Sequence, residues 1–303
     1  MKKFKQITMI DACRLTQESL PRIQELSENP LKLYWSFPET TEEVIERIGD
    51  SDCVLISFQT RLTPEIINAA PNLKYIGMCC SLFSEEASSV NIPASRERGI
   101  VVKGVFDYGD EGVIEYIFSK LISLGKGFDK YQWKEEPCEL GGKSLGIIGM
   151  GTTGKMVAAA ARAFGMKVYY YSRNRKEDEE ARGSEYLPLK DLMATCDAVT
   201  IHLPRYTILL NEEEFAVKKK NSILINTSFG PLFNKEAFDK WLASDHTSYA
   251  IFDKDGCGPL YDEMITRERV ITYDKSAGFT AESKQRLSDK AIQNMITFLE
   301  TGK

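Results

Sequence analysis

Histidine is almost missing from this chain: among 303 residues there are two, His202 and His246. So few leave no room for an imidazole metal cluster, and any proton transfer has to fall largely to other side chains. The seven cysteines are odd in number and form no CxxC pair. Cys79 and Cys80 are adjacent and cannot easily bridge each other, so the pattern predicts reduced thiols, a cytoplasmic location and no metal site. No apolar run reaches bilayer length, and the start, MKKFKQITMID, lacks the apolar stretch of a signal peptide. A net charge of −5 without a long basic run argues against a nucleic-acid surface and leaves a small molecule as the expected partner. Low-complexity linkers and solenoid-length repeats are also missing.

What the chain has is alternation. In the first hundred residues the strand candidates are KQITMID, LKLYWS, CVLISF, LKYIGMCC and IVVKGV. Helix candidates separate them, one opening TPEIINAA with Thr63 as cap and Pro64 at the first helical position. Continuous apolar strands alternating with helices predict an α/β fold whose parallel sheets are covered on both faces. From Asp110 a long helix runs through EGVIEYIFSKLISLGKGF, with apolar residues at 114, 117, 118, 121 and 124 forming one stripe. The alternation restarts at KSLGIIG, so two α/β lobes joined by that helix fit better than one.

The second lobe contains SLGIIGMGTTGKMVAAAARAFGMKVYYYSRNRK, with the pattern Gly149-x-Gly151-x-x-Gly154 directly after an apolar strand and at the start of an alanine-rich helix. The first glycine permits a tight turn, the second lets a pyrophosphate approach the backbone, and the third allows close helix–strand packing. The phosphates then sit at the helix N-terminus, and the unit reads as a dinucleotide site. An acidic residue is expected about 20 residues on, to bind the ribose 2′-hydroxyl. Here Ser172 stands at the strand end, followed by Arg173, Asn174, Arg175 and Lys176. A small hydroxyl with guanidinium groups suits a 2′-phosphate, which predicts NADP(H) over NAD(H). The alternative is a basic turn that pairs with the EDEE immediately after it.

The chain resembles the D-isomer-specific 2-hydroxyacid dehydrogenases, relatives of phosphoglycerate, glycerate and hydroxypyruvate reductases. The resemblance covers roughly residues 53–303 and rests on NLKYIG, RERGIVV, YGDEGVIEYIFS, LGGKSLGIIGMGTTG, AFGMKV, CDAVTIHLP, NSILINTS, YAIFD and SAGFTAES, in that order. It implies two Rossmann-like or flavodoxin-like lobes with doubly wound parallel sheets. Residues 1–105 with 276–303 would form the substrate lobe and 106–275 the inserted cofactor lobe, with the active site in the cleft between them. It implies a homodimer built through the cofactor lobe. It also carries cofactor contacts over: Gly151 and the backbone of Thr152 and Thr153 at the pyrophosphate, His202, Leu203 and Pro204 beside the adenosine. Thr227 and Ser228 end the strand SILINTS, and Asp253 corresponds to the residue that holds the nicotinamide carboxamide.

The family's catalytic set does not carry over. An arginine expected after the INT-small motif is replaced by Phe229, and the position of the glutamate is Gly256, with Asp255 beside it. Lys275 takes the slot of the histidine. The glycine-rich loop after YIG is replaced by the bulkier MCCSLFSEEASSV. Met78 to Phe83 are expected to line the cleft, the alternative being buried cysteines that end a strand. Two readings follow. One is an NAD(P)-dependent oxidoreductase acting on a small carbonyl or imine that is not a standard 2-hydroxy acid. The other is a dinucleotide-binding sensor without hydride transfer. Coherent replacement, an apolar Phe229 for a carboxylate clamp and Lys275 for a histidine, favours the enzyme. A lysine titrates near 10.4 in water. Burial beside Phe229 would lower that value and make Lys275 a general acid, whereas Asp274 or Asp255 would keep it a cation that polarises the substrate.

Overall fold

The computed structural model describes residues 2–303 apart from Phe83, Ala87 and Tyr206. The chain forms two compact units, Met1–Tyr108 with Thr280–Lys303, and Gly109–Phe279. In the first unit the apolar runs become β1 (Ile7–Met9), β2 (Lys32–Leu33), β3 (Cys53–Ile56), β4 (Tyr75–Met78) and β5 (Val101–Lys103). They pair in parallel in the order β2-β1-β3-β4-β5, the flavodoxin-like winding. β3 and β4 are buried along their whole length, which is why they read as unbroken apolar runs. On one face Phe4, Ile7, Met9 and Tyr75 pack against Leu287, Ile292, Met295 and Leu299 of the helix Ala281–Thr301. On the other, Val54, Ile56 and Ile76 pack against Val44 and Ile48 of the helix Thr41–Ile48 and Ile66 and Ile67 of the helix Pro64–Ala69. The expected cap is formed: Thr63 Oγ1 accepts from Ile66 N.

The loop after β4 corrects one expectation. Met78, Cys79 and Cys80 are 2%, 5% and 5% exposed and belong to the cores, Cys79 on the face of β1 and Met78 and Cys80 on the opposite face. They do not line a cleft, because β4 continues into them and alternate side chains fall on alternate sides of the sheet. Phe83 lies outside the described residues.

The second unit begins with the long helix Asp110–Lys126, closed by Gly127 at φ 68°. Its predicted stripe is the buried face, with Ile117, Phe118, Leu121 and Leu124 in the core. Seven strands follow: β6 (Ser144–Ile148), β7 (Lys167–Tyr171), β8 (Ser184–Tyr186), β9 (Ala198–Ile201), β10 (Ile223–Asn226), β11 (Tyr249–Phe252) and β12 (Val270–Ile271). All pair in parallel in the order β12-β11-β10-β9-β6-β7-β8, with the winding reversing at β6. That reversal is where doubly wound sheets bind ligands, at the carboxyl ends of the strands. The helix Thr152–Ala163 lies on the sheet through Val157, Ala158 and Ala161, the small residues allowing a close approach. No helix among the described residues is long and apolar enough to cross a membrane.

A candidate dinucleotide site at the carboxyl ends of the strands

The turn after β6 is built so that only glycine fits at its two ends. Gly149 has φ 99°, and a Cβ there would stand 2.1 Å from His202 O. Its N–H donates to Tyr171 O at 2.8 Å, tying the turn to β7. A Cβ on Gly154 would stand 2.1 Å from Gly149 O, so the first turn of the helix presses onto the loop. Gly151, by contrast, has nothing within 4 Å of where a Cβ would be, and it caps the helix without a side-chain bond. An open glycine ahead of uncapped first-turn N–H groups is a cradle a pyrophosphate fits, with the positive end of the helix dipole behind it. Thr153 donates its hydroxyl to Asp110 at the start of the long helix, which leaves the backbone of Thr152 and Thr153 for the ligand.

Beside this cradle, His202 donates its backbone N–H to Ile148 O at 2.7 Å and places Nε2 3.0 Å from Thr200 Oγ1. Burial pushes its imidazole down to about 4, so the ring is neutral at ordinary pH. At the end of β7, Ser172 is half-buried, and Arg173 is exposed with no ion-pair partner among the described residues. Arg175 is engaged otherwise: Nε and Nη2 reach Glu180 at 2.9 and 2.6 Å, and its guanidinium lies 5.5 Å from the Tyr186 ring. Glu180 also accepts from Tyr170 OH, which in turn accepts from Lys176 N, both at 2.6 Å. For Arg175 the paired basic turn is the observed state. Arg173 is the cation left facing outward.

The ends of β9, β10 and β11 are cross-tied. Ser228 Oγ donates to Ile201 O at 3.0 Å and accepts from Leu203 N at 3.3 Å, while Pro204 is exposed beside them. The buried amide of Asn226 donates to Gly230 O and Gly256 O at 2.9 Å each, and Gly230 N donates to Asp255 O at 2.8 Å. A Cβ on Gly256 would be 2.0 Å from Asn226 O, so this slot has no room for a glutamate. Asp253 is 1% exposed; its carboxylate accepts from Gly256 N at 2.6 Å and Ala277 N at 2.7 Å. Burial nevertheless pushes it up to about 7, because two N–H bonds only partly offset the loss of water. It therefore holds the turn at residues 275–277 onto the end of β11. Thr227 Oγ1 and Asp255 Oδ2 are buried with no hydrogen-bond partner among the described residues.

Lys275 stands on that turn, with its carbonyl accepting from Lys254 N at 3.0 Å. Its side chain is exposed, and Asp274 is ion-paired with Lys254. The desolvated lysine is thereby corrected: nothing in this unit buries the ammonium, and the electrostatic role is the one this geometry serves. His246 is exposed ahead of β11, at the amino end of the sheet. One group was not foreseen. Arg205, in the loop after β9, lies over the ring of Phe229 with its guanidinium carbon 5.2 Å from the centroid. A basic residue in a loop has no sequence signature that ties it to a phenylalanine on another strand.

Comparison with known proteins follows this geometry. A family model described as D-isomer specific 2-hydroxyacid dehydrogenase, NAD binding domain, matches residues 119–273. A glyoxylate reductase of Korarchaeum cryptofilum is 27% identical, over 94% of this chain and 90% of that protein. A hydroxypyruvate reductase of Blautia hydrogenotrophica is 27% identical, over 86% and 85%. Among solved structures, an acyclic imino acid reductase in complex with NADPH and D-Arg superposes with a TM-score of 0.82 at 24% identity, covering 97% of each chain. The NAD+-bound 3-phosphoglycerate dehydrogenase of Entamoeba histolytica gives 0.79 at 22% identity, over 99% and 97%.

Proposed function

Because the chain belongs to the D-isomer-specific 2-hydroxyacid dehydrogenase family, we propose that it is an NADPH-dependent reductase of a small carbonyl or imine compound that is not a standard 2-hydroxy acid. The observation that carries the reading is the pair of glycine contacts, at Gly149 and Gly154, which leave Gly151 open at an uncapped helix start. When bound, the dinucleotide supplies the hydride. The chain's own residues do the rest. The N–H groups of Thr152 and Thr153 hold the pyrophosphate, Leu203 and Pro204 flank the adenosine, and Thr227, Ser228 and Asp253 border the nicotinamide end. Ser172 and Arg173 favour the 2′-phosphate of NADPH over NADH, since Arg175 is held by Glu180. Lys275 provides a fixed positive charge at the oxygen or nitrogen that gains electron density. Phe229 at the usual arginine position, and a Gly256 that admits no glutamate, are what set the substrate apart. The sensor alternative has no observation in its favour, since the family model and the relatives are those of dehydrogenases and reductases.

The same reading includes a cytoplasmic homodimer. It is supported by free cysteines throughout and by Phe128, 75% exposed at the end of the long helix; light scattering of the purified protein tests the dimer. The activity is tested by NADPH oxidation against aldehydes, ketones and imines, repeated with NADH and with Arg173→Ala. Turnover is expected with NADPH, and the variant should weaken NADPH binding by roughly tenfold or more while leaving NADH nearly unchanged. Equal losses for the two cofactors would sink the NADPH assignment, and flat traces with every substrate would sink the reductase.

A further inference from the structure

The loop after β9 and the loop after β10 are joined through Ser228, and across that joint Arg205 lies over Phe229. A guanidinium laid over an aromatic ring has its N–H donors in its own plane, directed past the ring's edge, and the ring restricts its rotamers. Phe229 binds no anion itself, but it orients a cation that can take a planar carboxylate through two parallel bonds. On the other side of Phe229 the chain runs into Gly230, whose N–H is fixed to Asp255 O at 2.8 Å. Asp255 Oδ2 is a buried acceptor with no partner among the described residues. Such an oxygen is completed by an N–H donor and repels a carbonyl oxygen. The loop pair thus offers a fork of donors from Arg205 and a lone acceptor from Asp255, with an apolar ring between the two segments.

We propose that the substrate is a 2-imino acid, its carboxylate held by Arg205 and its iminium N–H by Asp255, so that the anion clamp has moved from position 229 to the loop after β9. The proposal rests on the reading of this site as a reductase and selects the imine branch of it. The balance is simple. The iminium carbon gains a hydride from NADPH, the C–H bond forms as the C=N π pair moves to nitrogen, and NADPH is oxidised to NADP+. An iminium already carries its proton, so the step yields an amino acid without a buried acid, in keeping with the exposure of Lys275.

The experiment uses the full chain with NADPH and pyruvate or glyoxylate, with and without methylamine, which condenses with the oxo acid to an imino acid. In parallel, binding of N-methylglycine and N-methylalanine to the complex with NADP+ is measured by titration calorimetry, which needs no turnover. Reduction is expected to depend on the amine. Arg205→Gln should raise KM for the imino acid and weaken amino-acid binding by roughly 10- to 100-fold, with Arg205→Lys recovering part of the loss. Asp255→Asn should lower kcat/KM for the imine and leave any reduction of the oxo acid alone unchanged. The Kd for NADPH, read by its fluorescence, should move by less than about threefold in each variant, on the scale of a contact not made. Oxo acids reduced equally well without amine would overturn the imino-acid class while leaving the reductase standing. A matching loss of NADPH affinity in Arg205→Gln would place Arg205 on a cofactor phosphate and overturn its substrate role. If no carbonyl or imine is reduced, the reductase reading fails. If the complex with NADP+ binds neither amino acid, this proposal fails by itself.

Discussion

Replacing Asp253 by Asn should invert the order of stability between wild type and variant as pH rises. The carboxylate is 1% exposed and accepts from Gly256 N and Ala277 N. Its proton is released near 3.8 when exposed and about 7 in the fold. Between these values the folded chain holds a proton that the unfolded chain has lost, so wild-type stability is full below pH 4 and falls as pH rises through 7. Proton affinity raised roughly a thousandfold by folding corresponds to about 4 kcal/mol. The variant has no such titration, but an amide NH2 must face one of the two N–H donors, at a cost of about 1–3 kcal/mol at every pH. At pH 5 wild type should therefore be the more stable, and at pH 8 the variant. His202, held down to about 4, opposes this trend by removing stability as pH falls from 6.5. It acts equally in both proteins and cancels in their difference. Urea unfolding of both at pH 5 and pH 8 checks the prediction. Parallel behaviour, with the same sign of difference at both pH values, would refute the balance between burial and hydrogen bonding assigned to Asp253.

Lys275→Met should leave NADPH affinity nearly unchanged and lower turnover by roughly 10²-fold or more, since a charge at the reacting atom is lost; turnover within a few-fold of wild type would make Lys275 a surface residue. Gly256→Ala places a Cβ 2.0 Å from Asn226 O, and a cost of about 1–3 kcal/mol or more is expected as a fall in Tm. Gly256→Glu should fare no better and gain no activity on 2-oxo acids; an active, stable Glu variant would show that the loop has room. Lys218→Met should stabilise the protein by about 1–3 kcal/mol at pH 7 or below. The buried Lys218 amine has no hydrogen-bond partner among the described residues and is held down to about 7. Because the penalty falls on the charged amine, the gain should shrink as pH rises towards 10.5, and thermal melts at pH 7 and 10 test that slope.

The sheets were legible because both faces of their central strands are covered, which leaves runs such as CVLISF and SLGIIG with no polar alternation. The phosphate turn was legible because its glycines answer to backbone contacts that no other residue tolerates. Pairing was harder to read. Lys218, Lys219 and Lys220 look like one solvated run, yet Lys219 pairs with Asp197 while Lys218 is 6% exposed against Trp241. Arg173 and Arg175 look equivalent, and Glu180 separates them. Cys79 and Cys80 looked like loop residues because the sequence does not mark where β4 stops holding its neighbours in the core. Arg205 and Phe229 meet only because β9 and β10 are adjacent in the sheet, a fact of topology rather than of spacing.

The helix Ala281–Thr301 has a consequence for the order of folding. Leu287, Ile292, Met295 and Leu299 cover a face of the first sheet, and burying four such side chains is worth roughly 6–12 kcal/mol, comparable with the whole stability of a domain. The ribosome delivers that helix last, after all of Gly109–Phe279. The first unit therefore waits unfinished through most of synthesis. Closing so long an unfolded insert would cost about 4–5 kcal/mol of chain entropy. The insert removes most of that cost by folding first, because Gly109 and Gly278 then come together so closely that a Cβ on Gly109 would lie 2.9 Å from Gly278 O. A nascent chain arrested before residue 280 should thus carry a finished second unit and a first unit still open to protease.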